Sequence, residues 1–239
     1  MGHSSKVQIA CTTCPARDSR FCSALEGGDI GRLDAVAHRI SITRGEYLFE
    51  EEDASDYVYN ISTGTGLLER LSSDGRRQVM AFIYAGDFVG LMPDPIYKVS
   101  AKALQPMTVC RWHIKDINNL IQDFPEIEHR LRRIGNRVLA TTLDQVFALG
   151  CKNAQEKVAY FLFHLERRQD AIMPGKEHIQ LPMVRGDIAD YLGITVETVC
   201  RVFSKMRKDN LIALPHANEV VILNRPKLEE IAEMESSRQ

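Results

Sequence analysis

Two short helical stretches hinged at one glycine and followed at once by a hairpin constrain this chain more than any other feature. Arg185-Gly-Asp-Ile-Ala-Asp-Tyr-Leu192 has the length and pattern of a short helix, and Gly193 supplies the residue that ends it. Ile194-Thr195 restart the chain, with Thr195 a suitable N-cap for a second helix over 196–209. Leu211-Ile-Ala-Leu214 and Val220-Val-Ile-Leu223 flank Pro215-His-Ala-Asn-Glu219, which predicts a β-hairpin. Helix, glycine turn, helix and hairpin together make a winged helix-turn-helix. The second helix is basic: Arg201, Lys205, Arg207 and Lys208 stand against Glu197 alone, a local charge of +3. The whole chain carries only −2, so contact with nucleic acid has to be a local patch of this kind. Glu197 and Arg201, four apart, share a helical face. An arginine fork there suits guanine O6 and N7, and the carboxylate suits a cytosine amino group. Lys205, Arg207 and Lys208 suit phosphate or solvent. A surface ion pair is the competing reading of the same spacing.

Upstream, residues 39–112 read as short β-type runs between turn residues. The runs are Tyr57-Val-Tyr-Asn-Ile61, Gly66-Leu-Leu-Glu-Arg-Leu71, Gln78-Val-Met-Ala-Phe-Ile83 and Met107-Thr-Val-Cys-Arg-Trp112. Gly45, Ser62-Thr-Gly-Thr-Gly66, Ser73-Asp-Gly75 and Gly86-Asp87 punctuate them. Regular short strands of this kind predict an antiparallel barrel or sandwich. A long helix follows Pro125 and runs toward Gly150. Ile127, Leu131, Ile134 and Val138 form one apolar stripe on it, and Leu139, Leu143 and Val146 a second, rotated stripe. A helix apolar on two faces has to bury both, one on its own domain and one on a second subunit. The expected dimer-interface residues are Ile127, Leu131, Ile134, Leu139, Thr142 and Val146. Residues 153–168 form a further amphipathic helix through Ala154, Val158, Phe161, Leu162 and Leu165. The fold class is therefore α+β: an antiparallel barrel or sandwich (a β-roll in the resemblance given below), a long dimerisation helix and a C-terminal winged helix-turn-helix. The expected divisions are 1–24, 25–123, 124–150 and 151–239.

The first 22 residues hold three of the six cysteines, Cys11-Thr-Thr-Cys14 and then Cys22. C-x-x-C spacing can aim two thiolates at one metal centre, and a third nearby nearly completes a four-coordinate shell. Residues 1–10 contain no apolar signal region, and the apolar runs are too short for a transmembrane helix. A reducing, cytoplasmic compartment is expected, where such a cluster reads as metal-binding rather than as disulfides. A fourth ligand has to come from Cys110, Cys151, Cys200 or elsewhere.

The order of β-roll, long helix and winged helix resembles the CRP/FNR family of bacterial transcription regulators over essentially the whole chain. The matching runs are Gly186-Asp-Ile-Ala-Asp-Tyr-Leu-Gly-Ile-Thr-Val-Glu-Thr-Val-Cys-Arg201, Lys152-Asn-Ala-Gln-Glu-Lys-Val-Ala-Tyr-Phe161 and Ala85-Gly-Asp-Phe-Val-Gly90. The N-terminal cysteines are similar to those of the FNR branch, with the spacing of its FnrN- and FixK-type members. That resemblance implies an oxygen-sensing [4Fe–4S] cluster and selects Cys110 as the distal ligand, completing the set Cys11, Cys14, Cys22 and Cys110. It also implies a homodimer on double-stranded DNA, reading an inverted repeat like TTGAT…ATCAA through Glu197, Cys200 and Arg201. The exposed tip Ser72-Ser-Asp-Gly-Arg76 is expected to touch RNA polymerase, which favours activation.

Several positions depart from the family pattern. The CRP branch grips cyclic AMP with a Gly-Glu pair and an arginine-hydroxyl pair. Here Leu91 follows Gly90, and Pro93-Asp-Pro-Ile-Tyr-Lys-Val-Ser100 has no arginine, so no cyclic nucleotide is expected. Cys200 replaces the serine that precedes the recognition arginine. A thiol donates poorly, which leaves discrimination at that base open. Pro15 removes a backbone N–H beside Cys14, and Thr142 stands where the prototype has an aspartate in its dimer helix. A zinc or thiol switch, or no cofactor, remains the alternative sensor. A redox enzyme is disfavoured, because there is neither a nucleotide-binding glycine motif nor a nucleophile-and-base arrangement.

Overall fold

The computed structural model describes residues 14, 21–22, 29–91, 94–172, 175 and 178–233. They fall into two compact units, Met1–Ala140 and Thr141–Gln239. The boundary lies inside one long helix, so the expected dimerisation helix is shared between the units rather than forming a piece of its own.

In the first unit a short helix α1 (Asp29–Ala35) precedes eight strands. They are β1 (His38–Ile42), β2 (Tyr47–Phe49), β3 (Tyr57–Thr63), β4 (Thr65–Leu71), β5 (Arg77–Tyr84), β6 (Phe88–Val89), β7 (Ser100–Ala103) and β8 (Met107–His113). They pair antiparallel as two four-stranded sheets, β1-β8-β3-β6 and β2-β7-β4-β5. The four runs expected as strands are β3, β4, β5 and β8, each within two residues of its expected ends. Gly64 makes the turn between β3 and β4 at φ +87°, where a Cβ would lie 2.9 Å from Met107 Cα.

The strands β3 and β8 are buried on both faces, which decides where the chemistry sits. Tyr59 and Ile61 of β3 and Met107 and Val109 of β8 point into the core between the sheets, with Ile40, Ile42, Phe49 and Tyr97. Val58 of β3 and Cys110 and Trp112 of β8 point the other way, into a second core. That core is closed by Ile30 and Leu33 of α1 and by Ile117 and Leu120 of α2 (Ile114–Asp123). Ile127 and Leu131 complete it from the start of α3 (Pro125–Cys151). The Trp112 indole N–H donates to the Leu33 carbonyl at 3.1 Å, satisfying the one polar atom of a fully buried ring.

The second unit continues with α4 (Ala154–Asp170), β9 (His178–Gln180), α5 (Arg185–Leu192) and α6 (Val196–Lys208). The hairpin β10 (Ile212–Ala213) and β11 (Glu219–Ile222) and then α7 (Arg225–Ala232) complete it. Asn153 caps α4: its side chain accepts from the backbone N–H of Gln155 and Glu156. The wing is a three-stranded sheet, β10-β11-β9, whose third strand the expected hairpin lacked. Lys152, almost wholly buried, donates from Nζ to the Ala232 carbonyl at 2.8 Å and closes the C-terminal end of α7.

Candidate cysteine site and nucleic-acid interface

Three of the four expected ligands lie around one stretch of β3. Cys110 on β8 is the register partner of Asn60 on β3 and of Arg39 on β1. The Asn60 and Ser62 side chains flank it, since residues two apart on a strand share a face. The Ser62 Oγ lies 3.5 Å from Cys110 Sγ and accepts from Cys14 Sγ at 3.8 Å. The Asn60 Nδ2 donates to Cys22 Sγ at 3.6 Å. Cys14, Cys22 and Cys110 are thus gathered by two side chains of a single strand; Cys11 lies outside the described residues.

Among the described residues no three His, Cys, Asp or Glu side chains form a group that could hold a metal ion. What the structure supplies is the neighbourhood. Phe21 and Cys22 sit in the second core with Cys110, where Phe21 packs against Phe88 and Trp112 at ring separations of 4.6 and 5.6 Å. Burial pushes the Cys110 thiol up from its ordinary value, opposed by the Ser62 hydroxyl and the Arg39 guanidinium. Arg39 is itself ion-paired with Asp34. Cys151, at the end of α3, and Cys200, on α6, are both exposed and belong to neither core.

The second unit forms the basic helix expected over 196–209 as α6. Gly193 ends α5 in the left-handed region, at φ 61° and ψ 42°. Thr195 caps α6 by accepting from the Thr198 N–H at 3.2 Å. Val199, Val202, Phe203 and Met206 face inward and are buried. Glu197, Cys200, Arg201, Lys205, Arg207 and Lys208 are all exposed. Glu197 is held below the usual carboxylate range by its own backbone N–H and by the Thr195 hydroxyl, which keeps it an acceptor. Arg201 makes no ion pair among the described residues, whereas Lys205 donates to the Gln155 amide oxygen on α4 at 3.1 Å.

Sequence reasoning missed Arg185. Its guanidinium lies 3.9 Å from the centre of the Phe203 ring and donates to the Ala217 carbonyl at 3.4 Å. It therefore ties the first turn of α5 to α6 and to the wing. An arginine opening a helix reads as surface charge, so spacing held no signal for this role. Asn60 and Ser62 were missed as well: the expected run ends at Ile61 with Ser62 in the following turn, whereas β3 continues to Thr63 and buries both side chains.

The six residues expected at a dimer interface divide. Ile127 and Leu131 are buried in the second core, with Ile134 partly buried against it, so this stripe faces the chain's own β-roll rather than a partner. Leu139, Thr142 and Val146 are exposed, as are Val138, Leu143 and Phe147. Spacings of three and four from 139 through 142 to 146 are those of a helix-pairing seam.

Two family models cover most of this architecture. A cyclic nucleotide-binding domain matches residues 39–124, and a Crp-like helix-turn-helix domain matches residues 156–231. The nitrogen fixation regulation protein FixK of Bradyrhizobium diazoefficiens is 34% identical over 222 residues, spanning 93% of each chain. The chain belongs to the CRP/FNR family of transcription regulators, in its FNR branch. The transcriptional activator protein FnrL of Cereibacter sphaeroides is a second relative, 30% identical over 93% of this chain and 91% of its own. The structure of FixK2 from Bradyrhizobium japonicum superposes with a TM-score of 0.77 at 32% identity, covering 82% of this chain and 97% of that one. A CRP/FNR chain of this kind is a DNA-binding regulator and not an enzyme. Among the described residues no helix is long and apolar enough to cross a membrane.

Proposed function

We propose that this chain is an oxygen-responsive cytoplasmic activator that reads DNA as a homodimer and is governed by a [4Fe–4S] cluster on Cys11, Cys14, Cys22 and Cys110. The observation that carries the reading is the gathering of Cys14, Cys22 and Cys110 around Asn60 and Ser62. The donor set fits the group, since thiolates at C-x-x-C spacing with one distant cysteine are the ligands such clusters take. Bound there, the cluster would supply an oxygen-labile cross-link between the N-terminal segment and β8. Cys22 and Cys110 pack in the same core as Ile127 and Leu131, so whatever loosens the sulfurs also loosens the seat of α3. The exposed residues 138–147 of that helix then serve as the face that pairs two subunits. Pairing is needed because one α6 reads only a half-site, and two copies one helical turn apart fit an inverted repeat like TTGAT…ATCAA.

In this reading Arg201 and Glu197 touch base edges, and Arg207 and Lys208 touch phosphate. RNA polymerase is expected at the tip between β4 and β5. There the Ser72 N–H donates to the Arg76 carbonyl at 2.8 Å, and an exposed Asp74–Arg76 ion pair shapes the turn. We read the roll as taking no cyclic nucleotide. Tyr97 stacks on Phe49 at 3.9 Å, donates its hydroxyl to the Tyr57 carbonyl and packs over Gly90, next to the positions the CRP branch uses for phosphate.

The test is DNA binding to that inverted repeat, with sedimentation of the same sample, before and after exposure to air. The reading expects a dimer with high affinity before exposure and, after it, a shift toward monomer with affinity reduced at least tenfold. Equal affinity in both states would refute oxygen control.

A further inference from the structure

Two polar side chains point from β3 into an apolar layer, and their chemistry is best explained by what sulfur becomes when it binds metal. Asn60 is wholly buried and Ser62 is 2% exposed. Their neighbours on that side of the sheet are Val58, Phe88, Trp112 and Ile117. A strand facing such a layer has no use for an amide and a hydroxyl unless acceptors or donors meet them. What meets them is sulfur: Cys22 for Asn60, and Cys110 and Cys14 for Ser62. The Asn60 Oδ1 has no hydrogen-bond partner among the described residues, so the amide's pairing is through Nδ2 alone.

A neutral thiol is a weak acceptor and compensates a buried amide poorly. A thiolate is a charged acceptor, and a hydrogen bond to it is roughly twice as strong as a neutral one. A metal-bound thiolate also has no hydrogen of its own, so only the Nδ2 side of Asn60 can face it. Ser62 lies nearer to the Cys110 sulfur, at 3.5 Å, than to that of Cys14, at 3.8 Å, and a thiolate at Cys110 would have no proton of its own, so the one hydroxyl hydrogen of Ser62 would go to it. We propose that Asn60 and Ser62 are positioning residues for the metal site, donating to the thiolates of Cys22 and Cys110 and so setting how firmly iron is held and at what potential. The proposal rests on the cluster reading above. Donors to ligand sulfur draw charge from it, which softens the iron–sulfur bond and raises the potential, and they hold the ligands in place for the metal, which slows its loss.

The experiment uses the full chain, reconstituted without oxygen with iron and sulfide, as wild type, Ser62→Ala, Asn60→Val and Ser62→Thr. Three quantities are read: the rate of iron transfer to an anaerobic chelator, the midpoint potential, and the iron–sulfur stretching frequencies in resonance Raman spectra. Ser62→Ala and Asn60→Val are each expected to lose iron about tenfold faster, with a more negative potential and higher iron–thiolate frequencies. Ser62→Thr, which keeps the hydroxyl, is expected within about twofold of wild type. Should Asn60→Val fail to fold, Ser62→Ala decides alone, since it removes one oxygen and leaves the strand intact. A loaded wild type with Ser62→Ala indistinguishable from it in all three readouts overturns the assignment while leaving the cluster reading standing. Ser62→Thr behaving like Ser62→Ala overturns it as well, because the hydroxyl would then not be the acting group. A wild type that takes up no iron overturns both.

Discussion

In the C-terminal unit the side chains proposed to meet DNA lie along one helix, α6, exposed and held by an inward face of Val199, Val202, Phe203 and Met206. In the N-terminal unit the candidate site draws on residues 14 and 22, on β3 and on β8, and all but Cys14 are buried. The reading surface is thus local in sequence and open to solvent, while the cysteine site is assembled by the fold and closed by it. Two kinds of fragility follow. A substitution on the exposed face of α6 is expected to alter DNA contacts and leave the scaffold alone. A substitution at the cysteine site disturbs the core that also seats Ile127 and Leu131.

The strongest way to break this contrast is Cys110→Ser. The expected outcome is loss of essentially all bound iron and of the air-dependence of DNA binding, measured by metal analysis and by titration of the inverted repeat. Cys200→Ser, on the exposed helix, is expected to keep iron content unchanged. Equal iron in Cys110→Ser and wild type would remove Cys110 from the ligand set.

Next in size is Leu131→Ala. Leu131 is 7% exposed and packs in the core that holds Cys22 and Cys110, so its truncation should destabilise the N-terminal unit by about 2–5 kcal/mol. Calorimetry on the iron-free chain checks the magnitude. Faster iron loss in the same variant would show that the helix seat and the sulfurs share one packing unit, whereas unchanged iron loss would separate them.

What could be read beforehand follows the same division. The spans of α5 and α6 came directly from Gly193 and Thr195, because a left-handed glycine and a hydroxyl cap act within four residues of the chain. Three cysteines were visible from spacing, but Cys110 came only through resemblance, since no local pattern ties residue 110 to residue 14. Asn60 escaped because a polar residue inside a β-type run reads as the solvent side, and here β3 has no solvent side; Ser62 escaped because it reads as the start of a glycine-rich turn, whereas β3 runs on to Thr63. The stripe Ile127, Leu131 and Ile134 was correctly seen as apolar. Periodicity states that a face is buried and not by what, and the structure buries Ile127 and Leu131 in the chain's own core, with Ile134 partly buried against it. Strand β9, at three residues, is too short for periodicity to register. The helices α2 and α7 were passed over between stronger signals.

Smaller effects sharpen the reader half of the comparison. Arg201→Ala should cost roughly 1–3 kcal/mol of binding and relax preference at a single guanine. Competition among operators substituted at that base measures it, and an unchanged preference would reassign the contact. Thr195→Ala removes the α6 cap and should cost about 1 kcal/mol of stability in the C-terminal unit. The same change releases Glu197 from the hydroxyl that holds its carboxyl down. Its pKa should then rise toward the ordinary range, and base preference that depends on an ionised Glu197 should fade at a higher pH than in wild type. Identical pH profiles would mean that Glu197 does not read DNA as a carboxylate.

The most direct test of the central claim is to count iron and acid-labile sulfide in wild-type protein purified and reconstituted without oxygen. A cluster held by Cys11, Cys14, Cys22 and Cys110 predicts a brown protein with about four of each per chain, both lost on exposure to air. A colourless chain that carries zinc or no metal, and that binds the inverted repeat equally well with and without oxygen, would contradict it.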